Sequence, residues 1–431
     1  MQDRTKPLVA TGKLPPQPWM EMPETRAVVA ALTRDGAEVR FVGGCVRDAL
    51  AHRPVKDIDL ATHDRPERVI ELLEAAGIRA VPTGLAHGTV TAVTGKRHFE
   101  ITTLRIDVET DGRRAKVAFT DDWVADAARR DFTINALSCS PAGDIYDPFD
   151  GMFDLAQGRI RFVGRAVERI QEDALRLLRY FRFYATFGRP PVDREALAAC
   201  RGLAPLVDGL SGERVHAELF RILLAPDPAT VMLLMQGEGV LERVLPEAGN
   251  IGRLRAEAWL TTNALKLESL EPDPLRRLAA LIRADHAGAL RIAARLKLSN
   301  TERDRFAQLV QPSQAFSPKM DARARRRAFH ELGADLARDL ALLAWAEEIA
   351  IDPHLPPGRN DAWTALVTDA IAWTPVQFPV KGRDALALGI PAGERMGVLL
   401  HDLERWWIEG DFKAGREACL EKLNELFTAT R

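Results

Sequence analysis

The stretch "GGCVRDALAHRPVKDIDL", residues 43–60, places two adjacent glycines shortly before two aspartates that are one residue apart. After the helix breaker Pro54, residues 56–60 alternate polar and apolar side chains, which predicts a strand. Side chains at i and i+2 of a strand share a face about 7 Å apart, so Asp57 and Asp59 would lie together. Such a pair suits Mg²⁺, which takes one or two carboxylates and completes its shell with substrate phosphates. An isolated Asp-x-Asp pattern is more often a pair of solvated loop residues, so other parts of the sequence must decide whether a metal binds here.

The glycines upstream of this pair predict a phosphate-binding turn. Phe41 and Val42 are predicted to end a strand, Gly43-Gly44 to form the turn, and residues 45–50 to form a short helix. A glycine turn that opens a helix leaves backbone N–H groups pointing outward, where they can hold phosphate oxygens. The stretch therefore predicts a phosphate cradle beside a metal site.

Length and composition limit the class of protein. The chain has 431 residues, which exceeds the usual size of one domain, and its 46% hydrophobic and 28% charged content is typical of soluble globular proteins. Its 4 cysteines lie far apart without a C-x-x-C pair, so we expect neither a zinc site nor a disulfide framework, and a reducing cytoplasm is favoured. We expect no membrane span, because no apolar run approaches about 18 residues. The proline-rich first twenty residues predict a flexible arm and not a signal peptide.

Periodicity predicts an α+β head followed by an elongated all-helical remainder. The domains that we expect are a flexible arm over 1–21, a head over 22–160, and two helical regions over 161–270 and 271–431. Residues 107–117, charged and interrupted by glycine, are predicted to form a mobile loop. The predicted helices span 24–35 and 65–76, and the predicted strands span 39–42, 57–61, 88–94 and 98–104.

A second motif, "RRDFTINA", covers residues 129–136. Arg129 and Arg130 offer bidentate donors for a triphosphate. Asp131 and Asn135 are four residues apart, so they would share a face if the segment is helical. The alternative is the start of an amphipathic helix with a solvated arginine pair, and the motif alone slightly favours this alternative.

The third motif, "EDALRLLRYFRF", covers residues 172–183 within a segment, 159–189, that contains eight arginines, no lysine and three acids. All-arginine segments suit planar, bidentate contacts to phosphates and bases. On a helix, the i, i+3 spacing would place four residues on a slanting ridge: Asp173, Arg176, Arg179 and Arg182.

Asp173 and Arg176 offer two interpretations. An ordinary surface ion pair between them would contribute less than about 1 kcal/mol. A base-reading pair would do more, because adenine and cytosine both present an amine donor beside a ring-nitrogen acceptor, whereas guanine and uracil present the reverse. An aspartate that accepts from the amine and an arginine that donates to the ring nitrogen would therefore select A and C.

These three motifs, together with "SGERVHAEL" (residues 211–219), stand in the order found in one family. The chain resembles the bacterial-type (class II) CCA-adding tRNA nucleotidyltransferases, of the tRNA nucleotidyltransferase/poly(A) polymerase family within the DNA polymerase β-like superfamily. The resemblance covers roughly residues 38–245 and extends only loosely to the tail. Leu-Gly commonly stands where this chain has Ala51-His52, which affects only the end of the predicted short helix.

The resemblance implies a polymerase β-like head with a mixed sheet, a helical neck and body over 161–270 that select the nucleotide and bind RNA, and a helical tail over 271–431 that binds tRNA. It also implies the reaction, which is addition of CCA to the 3′ end of tRNA from CTP and ATP, with pyrophosphate released and the base chosen by a protein template. It implies that Asp57 and Asp59 are catalytic and hold Mg²⁺. Glu100 is either a third acid at the metal or a structural strand residue. The nucleotide contacts that it implies are Gly44, Arg47, Arg130, Asp173, Arg176, Arg179 and Arg182.

Three alternatives to a complete CCA-adding enzyme remain. A poly(A) polymerase shares the head, but "PTGLAHGTVTAV" (residues 82–93) resembles the CCA-adding version. A partial enzyme that adds only A stays open, because the loop at 107–117 argues only against a CC-adding enzyme. A catalytically silent RNA-binding protein is disfavoured by intact Asp57, Asp59 and Arg176.

His401-Asp402 raises the further possibility of an HD phosphohydrolase domain. No matching upstream His and downstream Asp are evident around this pair. The surrounding sequence instead predicts an amphipathic helix with Leu400, Leu403 and Trp407 facing inward.

The predicted loop gives the first test. Deleting part of residues 111–116 should leave the addition of C, C largely intact and impair addition of the terminal A, because the family is expected to use this loop in moving from C to A. Gel analysis of a tRNA primer extended by the deletion variant checks this expectation. Equal loss of both activities would mark the loop as part of the general fold.

Overall fold

We describe the protein from a computed structural model, in which residues 9–110, 115–265, 267 and 270–429 are described, without the side chains of 107–116. The chain divides into two compact units, one running through Ala225 and then over Thr230–Pro246, the other comprising Pro226–Ala229 and the chain from Glu247 onward. The division near residue 246 precedes the tail start that we expect at 271, because the helix Ile251–Trp259 packs against later helices of the second unit.

The first unit contains a mixed eight-stranded sheet in the order β1-β10-β9-β2-β3-β6-β5-β4 and a separate hairpin, β7–β8. Only the central pair β3–β6 is parallel within the large sheet of the described chain; its other neighbours are antiparallel. The strands are β1 (Gly12–Lys13), β2 (Val39–Val42), β3 (Ile58–Thr62), β4 (Arg79–Gly84), β5 (Thr89–Thr94), β6 (Arg97–Thr103), β7 (Arg105–Thr110), β8 (Ala115–Phe119), β9 (Ser138–Cys139) and β10 (Asp144–Tyr146).

Helices pack against this sheet and then replace strands altogether after β10 in the described chain. Up to residue 246 they are α1 (Pro18–Glu21), α2 (Pro23–Leu32), α3 (Gly44–Leu50), α4 (Pro66–Ala75), α5 (Trp123–Ala128), α6 (Gly151–Gln157), α7 (Ala166–Glu172), α8 (Leu175–Phe187), α9 (Arg194–Leu203), α10 (Gly212–Leu223), α11 (Pro228–Gly237) and α12 (Leu241–Val244). From there on they are α13 (Ile251–Trp259), α14 (Pro274–Leu281), α15 (His286–Arg295), α16 (Asn300–Val310), α17 (Ala322–Leu332), α18 (Ala334–Ile351), α19 (Arg359–Ala372), α20 (Gly382–Ala387), α21 (Glu394–Glu409) and α22 (Arg416–Ala429).

The predicted α+β head followed by helices is confirmed. Strand β2 has the predicted bounds, and β3, β5 and β6 differ from theirs by one residue at an end or at both. Helices α2 and α4 begin at Pro23 and Pro66, in the first helical position, where the fixed backbone of proline and its missing N–H cost nothing. In the part of the chain that the model describes, no helix is long and apolar enough to cross a membrane.

The prediction of a flexible arm over 1–21 is wrong for its described part, residues 9–21. Strand β1 pairs with β10, and Leu14, Trp19 and Met20 are buried. The Trp19 ring packs edge-on against Phe41 with 4.9 Å between ring centroids. The proline-rich composition concealed these apolar anchors, which gain more from burial in the head than the segment loses in conformational freedom.

The predicted mobile loop at 107–117 is also wrong where it is described, because strands β7 and β8 form an antiparallel hairpin there. The alternation of "RIDVET" (105–110) is that of a strand, and the charged composition of the segment obscured it. Residues 111–114, between the two strands, lie outside the described residues. The deletion experiment on residues 111–116 therefore stays a prediction from the sequence.

The head core positions strand β3. Ile58 and Leu60 are buried in the cluster formed by α2, α3, α4 and the sheet. Because side chains alternate along a strand, Asp59 points to the opposite face, as does Asp57 just before the strand. The burial of two apolar residues therefore fixes where the two carboxylates face.

The second unit contains a buried network of charged side chains that joins α13, α14, α16 and α18. Glu257 accepts from the Nε atoms of Arg276 and Arg277, at 2.6 and 3.1 Å. Asp339 accepts from Arg276 at 2.9 Å and from Arg305 at 2.6 Å. The side chains of Glu257, Arg276, Arg277 and Asp339 are at most 1% exposed, so the helices can associate only when these charges meet.

Helix α21 confirms the amphipathic interpretation of His401-Asp402. Leu403 and Trp407 are buried in a cluster with α20 and α22, and Leu400 is half-buried at its edge. His401 is exposed. Within the described ranges, no group of three His, Cys, Asp or Glu side chains is arranged to hold a metal ion by itself, here or elsewhere.

The buried network gives the second test. Glu257→Ala should lower the free energy of unfolding by about 3–5 kcal/mol, because it removes the carboxylate that two buried guanidinium groups share. Lys422→Ala in α22, which breaks an exposed pair with Glu425, should cost less than about 1 kcal/mol and serves as the control. Denaturant unfolding measures both, and a cost below 1 kcal/mol for Glu257→Ala would show that the network does not stabilise the unit.

Candidate active site

One cleft of the first unit, about 660 Å³ in volume, collects every site residue predicted from the sequence. Its walls come from α3, β3, the turn after α5, α8 and α10. The predicted residues in its lining are Gly44, Arg47, Asp57, Asp59, Arg130, Asp173, Arg176, Arg179 and Arg182. Segments separated by more than a hundred residues in the sequence therefore meet in one place.

The carboxylates lie at one wall of this cleft. Burial, together with the neighbouring carboxylates of Glu100 and Asp57, raises the pKa of Asp59 to about 6, against the opposing effect of Arg130. Glu100 stands opposite Asp59 in the register of the parallel strands β3 and β6. Three acids thus repel one another here, and a bound cation would relieve that repulsion.

The glycine turn lies next to these acids. Gly43 has φ of +69°, and a Cβ there would stand 2.8 Å from Nη1 of Arg130. Helix α3 begins at Gly44, one residue before its predicted start, and a Cβ at Gly44 would meet Nη2 of Arg47 only at 3.8 Å. The backbone conformation and the close approach of Arg130 therefore require glycine at 43 and not at 44.

Arg47 is held by polar and aromatic neighbours. It donates to Oδ1 of Asn135 at 2.5 Å and to Oδ1 of Asp48 at 2.8 Å. Its guanidinium carbon lies 5.1 and 4.7 Å from the ring centroids of Phe183 and Phe187. These contacts on α8 and on the turn after α5 fix the arginine at the mouth of the glycine turn.

The segment 129–136 is not a helix, contrary to one interpretation of its spacing. Phe132 forms an isolated bridge to Phe162, and a short 3₁₀ turn follows over Thr133–Asn135. Asn135 nevertheless donates to Oδ1 of Asp131 at 2.9 Å, as the shared-face expectation required. The turn, and not a helical repeat, brings the two side chains together.

Asp131 ties this turn to α8. Its Oδ2 accepts from Nε of Arg179 at 2.6 Å. Burial alone would raise the pKa of Asp131, but Arg179 and Asn135 outweigh it and hold the pKa below its usual range. The carboxylate therefore stays charged, and Arg179 keeps a partner at the back of the cleft.

The expected single-helix ridge is wrong for Asp173, which lies between α7 and α8 with φ of −153°. Both of its carboxylate oxygens accept from Nη2 of Arg214 on α10, at 2.7 and 2.9 Å. Arg176 donates to Glu172 and to the backbone carbonyls of Arg129 and Arg169, each carbonyl at 3.2 Å. The break between the helices turns the carboxylate towards α10 instead of along α8.

Arg182 completes the arginine wall on α8. Burial and the neighbouring charge of Arg179 together lower the pKa of its guanidinium to about 10, against the opposing effect of Glu218. Its Nε lies 3.1 Å from Oε2 of Glu218, and its guanidinium carbon lies 4.3 Å from the Phe183 ring centroid. The wall is thus backed by a buried carboxylate and by an aromatic ring.

Several contributors to the site were not foreseen. Arg214 lies within the quoted stretch "SGERVHAEL", so its presence carried a signal, although its partner Asp173 did not follow from the sequence. Asp126 and Glu218 are buried carboxylates that bind cleft arginines. Their segments resemble ordinary amphipathic helices, because only the tertiary structure places their acids behind the arginines.

Two family models match the chain. The Poly A polymerase head domain matches residues 39–161. The model described as a probable RNA and SrmB-binding site of polymerase A matches residues 191–250. The first range contains the acid pair and the glycine turn, and the second contains Arg214.

Similar proteins include the mitochondrial CCA tRNA nucleotidyltransferase 1 of Danio rerio, 33% identical over 398 residues, which are 90% of this chain and 87% of that protein. The Homo sapiens protein of the same name is 32% identical over 93% of this chain and 89% of its own length. The CCA-adding enzyme of Streptococcus sanguinis is 41% identical over 48% of this chain and 51% of its own.

Among solved structures, the Bacillus stearothermophilus CCA-adding enzyme in complex with CTP superposes with a TM-score of 0.75 at 27% identity, over 95% of this chain and 99% of that one. The Thermotoga maritima CCA-adding enzyme complexed with tRNA shares the fold, with a TM-score of 0.59 at 18% identity over 94% of each chain. Since the likeness to whole relatives runs over nine-tenths of the sequence at about one-third identity, the chain belongs to the CCA tRNA nucleotidyltransferase family and is a nucleotidyltransferase.

Proposed function

We propose that the protein adds C, C and A to the 3′ end of tRNA, using CTP and ATP and releasing pyrophosphate. The observation that carries the proposal is the single cleft in which an acid pair, a glycine turn, an arginine wall and the Asp173–Arg176 segment meet. The relatives that match over most of their length are named for this activity, and the Bacillus stearothermophilus relative was solved with CTP.

The acid wall fits a divalent cation, for which we propose Mg²⁺ held by Asp57 and Asp59, with Glu100 as a third acid nearby. The carboxylates supply hard oxygen ligands, and their mutual repulsion favours a cation between them. Two protein carboxylates leave coordination positions of the cation open for substrate phosphates. Among the described residues, no group of three or more His, Cys, Asp or Glu side chains could hold a metal ion without such additional ligands. When bound, the ion would polarise the reacting phosphate and lower the pKa of the attacking hydroxyl.

The triphosphate is assigned to the backbone at Gly44 and to Arg47 and Arg130. Arg130 keeps one partner at Asp126 and one at the carbonyl of Asn135, so it is held from the protein side. Arginine forks suit the phosphate oxygens geometrically, and they need no reorganisation when negative charge develops on the leaving pyrophosphate. In-line attack of the tRNA 3′-hydroxyl on the α-phosphate then requires the chain only to position the reactants and to neutralise the charge on the phosphates.

Base choice is assigned to Asp173 and Arg176, with Arg179 and Arg182 completing the nucleotide contacts. Arg214 orients the Asp173 carboxylate, whose oxygens each retain a lone pair for an exocyclic amine. Glu172 and two backbone carbonyls orient Arg176. The pair is thus a preset acceptor and donor, which is what a template made of protein requires.

A poly(A) polymerase or an enzyme that adds only A would use the same cleft. Incubating the protein with tRNA that ends at the discriminator base, with CTP alone, ATP alone and both, separates the candidates. Complete CCA addition needs both nucleotides, a poly(A) polymerase extends with ATP alone, and an A-adding enzyme needs a primer that already ends in CC. A protein that binds tRNA but extends neither this primer nor one that ends in CC would be a silent RNA-binding member.

The compartment that we infer is the cytoplasm. Cys45, Cys139, Cys200 and Cys419 are all free and buried, which is compatible with a reducing compartment. The vertebrate relatives are named as mitochondrial, so the inference concerns this chain alone. Cell fractionation followed by detection of the protein tests it.

The metal assignment gives the third test. Asp57→Ala or Asp59→Ala should abolish nucleotide addition while leaving tRNA binding intact, because each removes an oxygen ligand and no RNA contact. Asp121→Ala in the same unit removes a carboxylate that is 94% exposed and should leave addition unchanged. Primer extension measures nucleotide addition, and a filter-binding assay measures tRNA binding. Near-normal turnover in Asp57→Ala or Asp59→Ala would contradict the assignment of these residues as metal ligands.

The base-reading pair gives the fourth test. Arg176→Ala should weaken the use of CTP and ATP and relax discrimination against UTP and GTP, with a ten- to hundredfold change in the C-to-U ratio, because one bidentate base contact is worth about 1–3 kcal/mol. Single-nucleotide incorporation with each of the four nucleotides measures the ratio. Arg165→Ala breaks an exposed arginine–glutamate pair in the same segment and is the control. Equal slowing of all four nucleotides by Arg176→Ala would refute base reading.

A further inference from the structure

Asp126, on helix α5, is a buried carboxylate for which neither the sequence motifs nor the proposed roles have a use. It is 4% exposed. Its Oδ1 accepts from Nε of Arg129 at 2.9 Å and from the backbone N–H of Arg105 at 3.2 Å, and its Oδ2 faces Nη2 of Arg130 at 3.4 Å. One carboxylate therefore holds both adjacent arginines of the cleft and the first residue of strand β7.

We propose that Asp126 is the positioning residue for Arg129 and Arg130, and that it thereby sets the affinity of the cleft for the phosphate chain of either nucleotide. This inference rests on the proposed function, in which Arg130 holds the triphosphate, and it adds Arg129 as a second phosphate donor. Asp126 itself does not line the cleft, whereas both arginines do.

The geometry favours a positioning role because the contacts of each arginine engage only part of its guanidinium group. Asp126 binds Nε of Arg129 and Nη2 of Arg130, and the carbonyl of Asn135 receives Nη1 of Arg130. The Arg129 and Arg130 side chains remain 17% and 20% exposed. A guanidinium group has five N–H donors, so these contacts leave donors available to an anion in the cleft.

Helix α5, the platform that carries Asp126, is anchored to residues of and around strands β2 and β3 through Trp123. Nε1 of Trp123, the first residue of α5, lies 3.1 Å from Oε2 of Glu38 and 3.0 Å from Nε2 of His63. The guanidinium of Arg40 on β2 stacks on the Trp123 ring with its carbon 4.1 Å from the centroid. A carboxylate on such a platform can fix two flexible side chains at defined positions relative to the sheet.

The side chain of Asp126 stays negatively charged at neutral pH. Burial would raise the pKa of Asp126, but Arg130 and Arg129 lower it by more, so the net shift is downward. Because base reading is assigned to other residues, the loss of Asp126 should affect CTP and ATP alike and leave the choice of base unchanged.

The experiment compares Asp126→Asn with wild type by calorimetric titration of inorganic pyrophosphate, a probe that has no base and needs no tRNA. The expected result is a roughly tenfold rise in Kd, the equivalent of one hydrogen bond between charged groups. The Michaelis constants for CTP and ATP should rise by a common factor, with the C-to-U ratio unchanged. Asp126→Glu, which keeps the charge but moves it by one methylene, should give a smaller rise.

Asp122→Ala is the matched control on the same helix. Asp122 caps α5 by accepting from the backbone N–H groups of Val124 and Ala125, at 2.8 and 3.2 Å. Loss of this cap should lower the melting temperature and leave the pyrophosphate Kd unchanged. A purely structural Asp126 would behave in the same way.

Two outcomes overturn the inference: an unchanged Kd in Asp126→Asn, or an equal rise in Asp122→Ala. If Asp126→Asn does not fold, Asp126→Glu decides alone, and an unchanged Kd in that variant overturns the inference. Failure of the proposed function would look different, because wild-type protein would then extend no tRNA while its pyrophosphate Kd still responded to Asp126.

Discussion

The constraint on which the cleft depends is electrostatic: several guanidinium groups must be held close together before any anion arrives. Like charges at these distances repel, and burial makes the repulsion stronger. The fold answers by pairing these arginines with carboxylates, as in the pairs Arg130–Asp126, Arg179–Asp131, Arg182–Glu218, Arg176–Glu172 and Arg214–Asp173. The arginines are thereby fixed in position, and their remaining donors are available to phosphates and bases.

Aromatic rings supply the second part of this support. The guanidinium groups of Arg47, Arg179 and Arg182 all lie within 5.4 Å of the Phe183 ring centroid. The negative face of an aromatic ring attracts cations at such distances and replaces water that phosphates would otherwise have to displace. Phe183 is 5% exposed, so it supports the wall from behind while leaving little apolar surface in the cleft.

The second unit uses the same chemistry for a different end. Its arginine–carboxylate network is sealed between helices, with side chains of Arg276 and Arg277 at most 1% exposed, so no donor there is available to a substrate. In a buried network of this kind the loss of one carboxylate is costly, because it leaves buried positive charge uncompensated. In the first unit the arginines of the ion pairs named above line the cleft, so their remaining donors can reach a ligand. This exposure distinguishes them from the sealed arginines of the second unit.

Strand alternation and helical periodicity were enough to predict the α+β head and the helical remainder, because both are local signals, whereas the nucleotide contacts of the cleft were expected from the resemblance of the motifs to one family. Strand alternation also placed Asp57 and Asp59 on one face, since the buried Ile58 and Leu60 alternate with them. Tertiary structure alone decided that Asp173 leaves the helix to meet Arg214, that segment 129–136 is a turn, and that the proline-rich start packs into the head. Each depends on partners distant in sequence, such as Asp131 and Arg179, 48 residues apart, and no local pattern records such a partner.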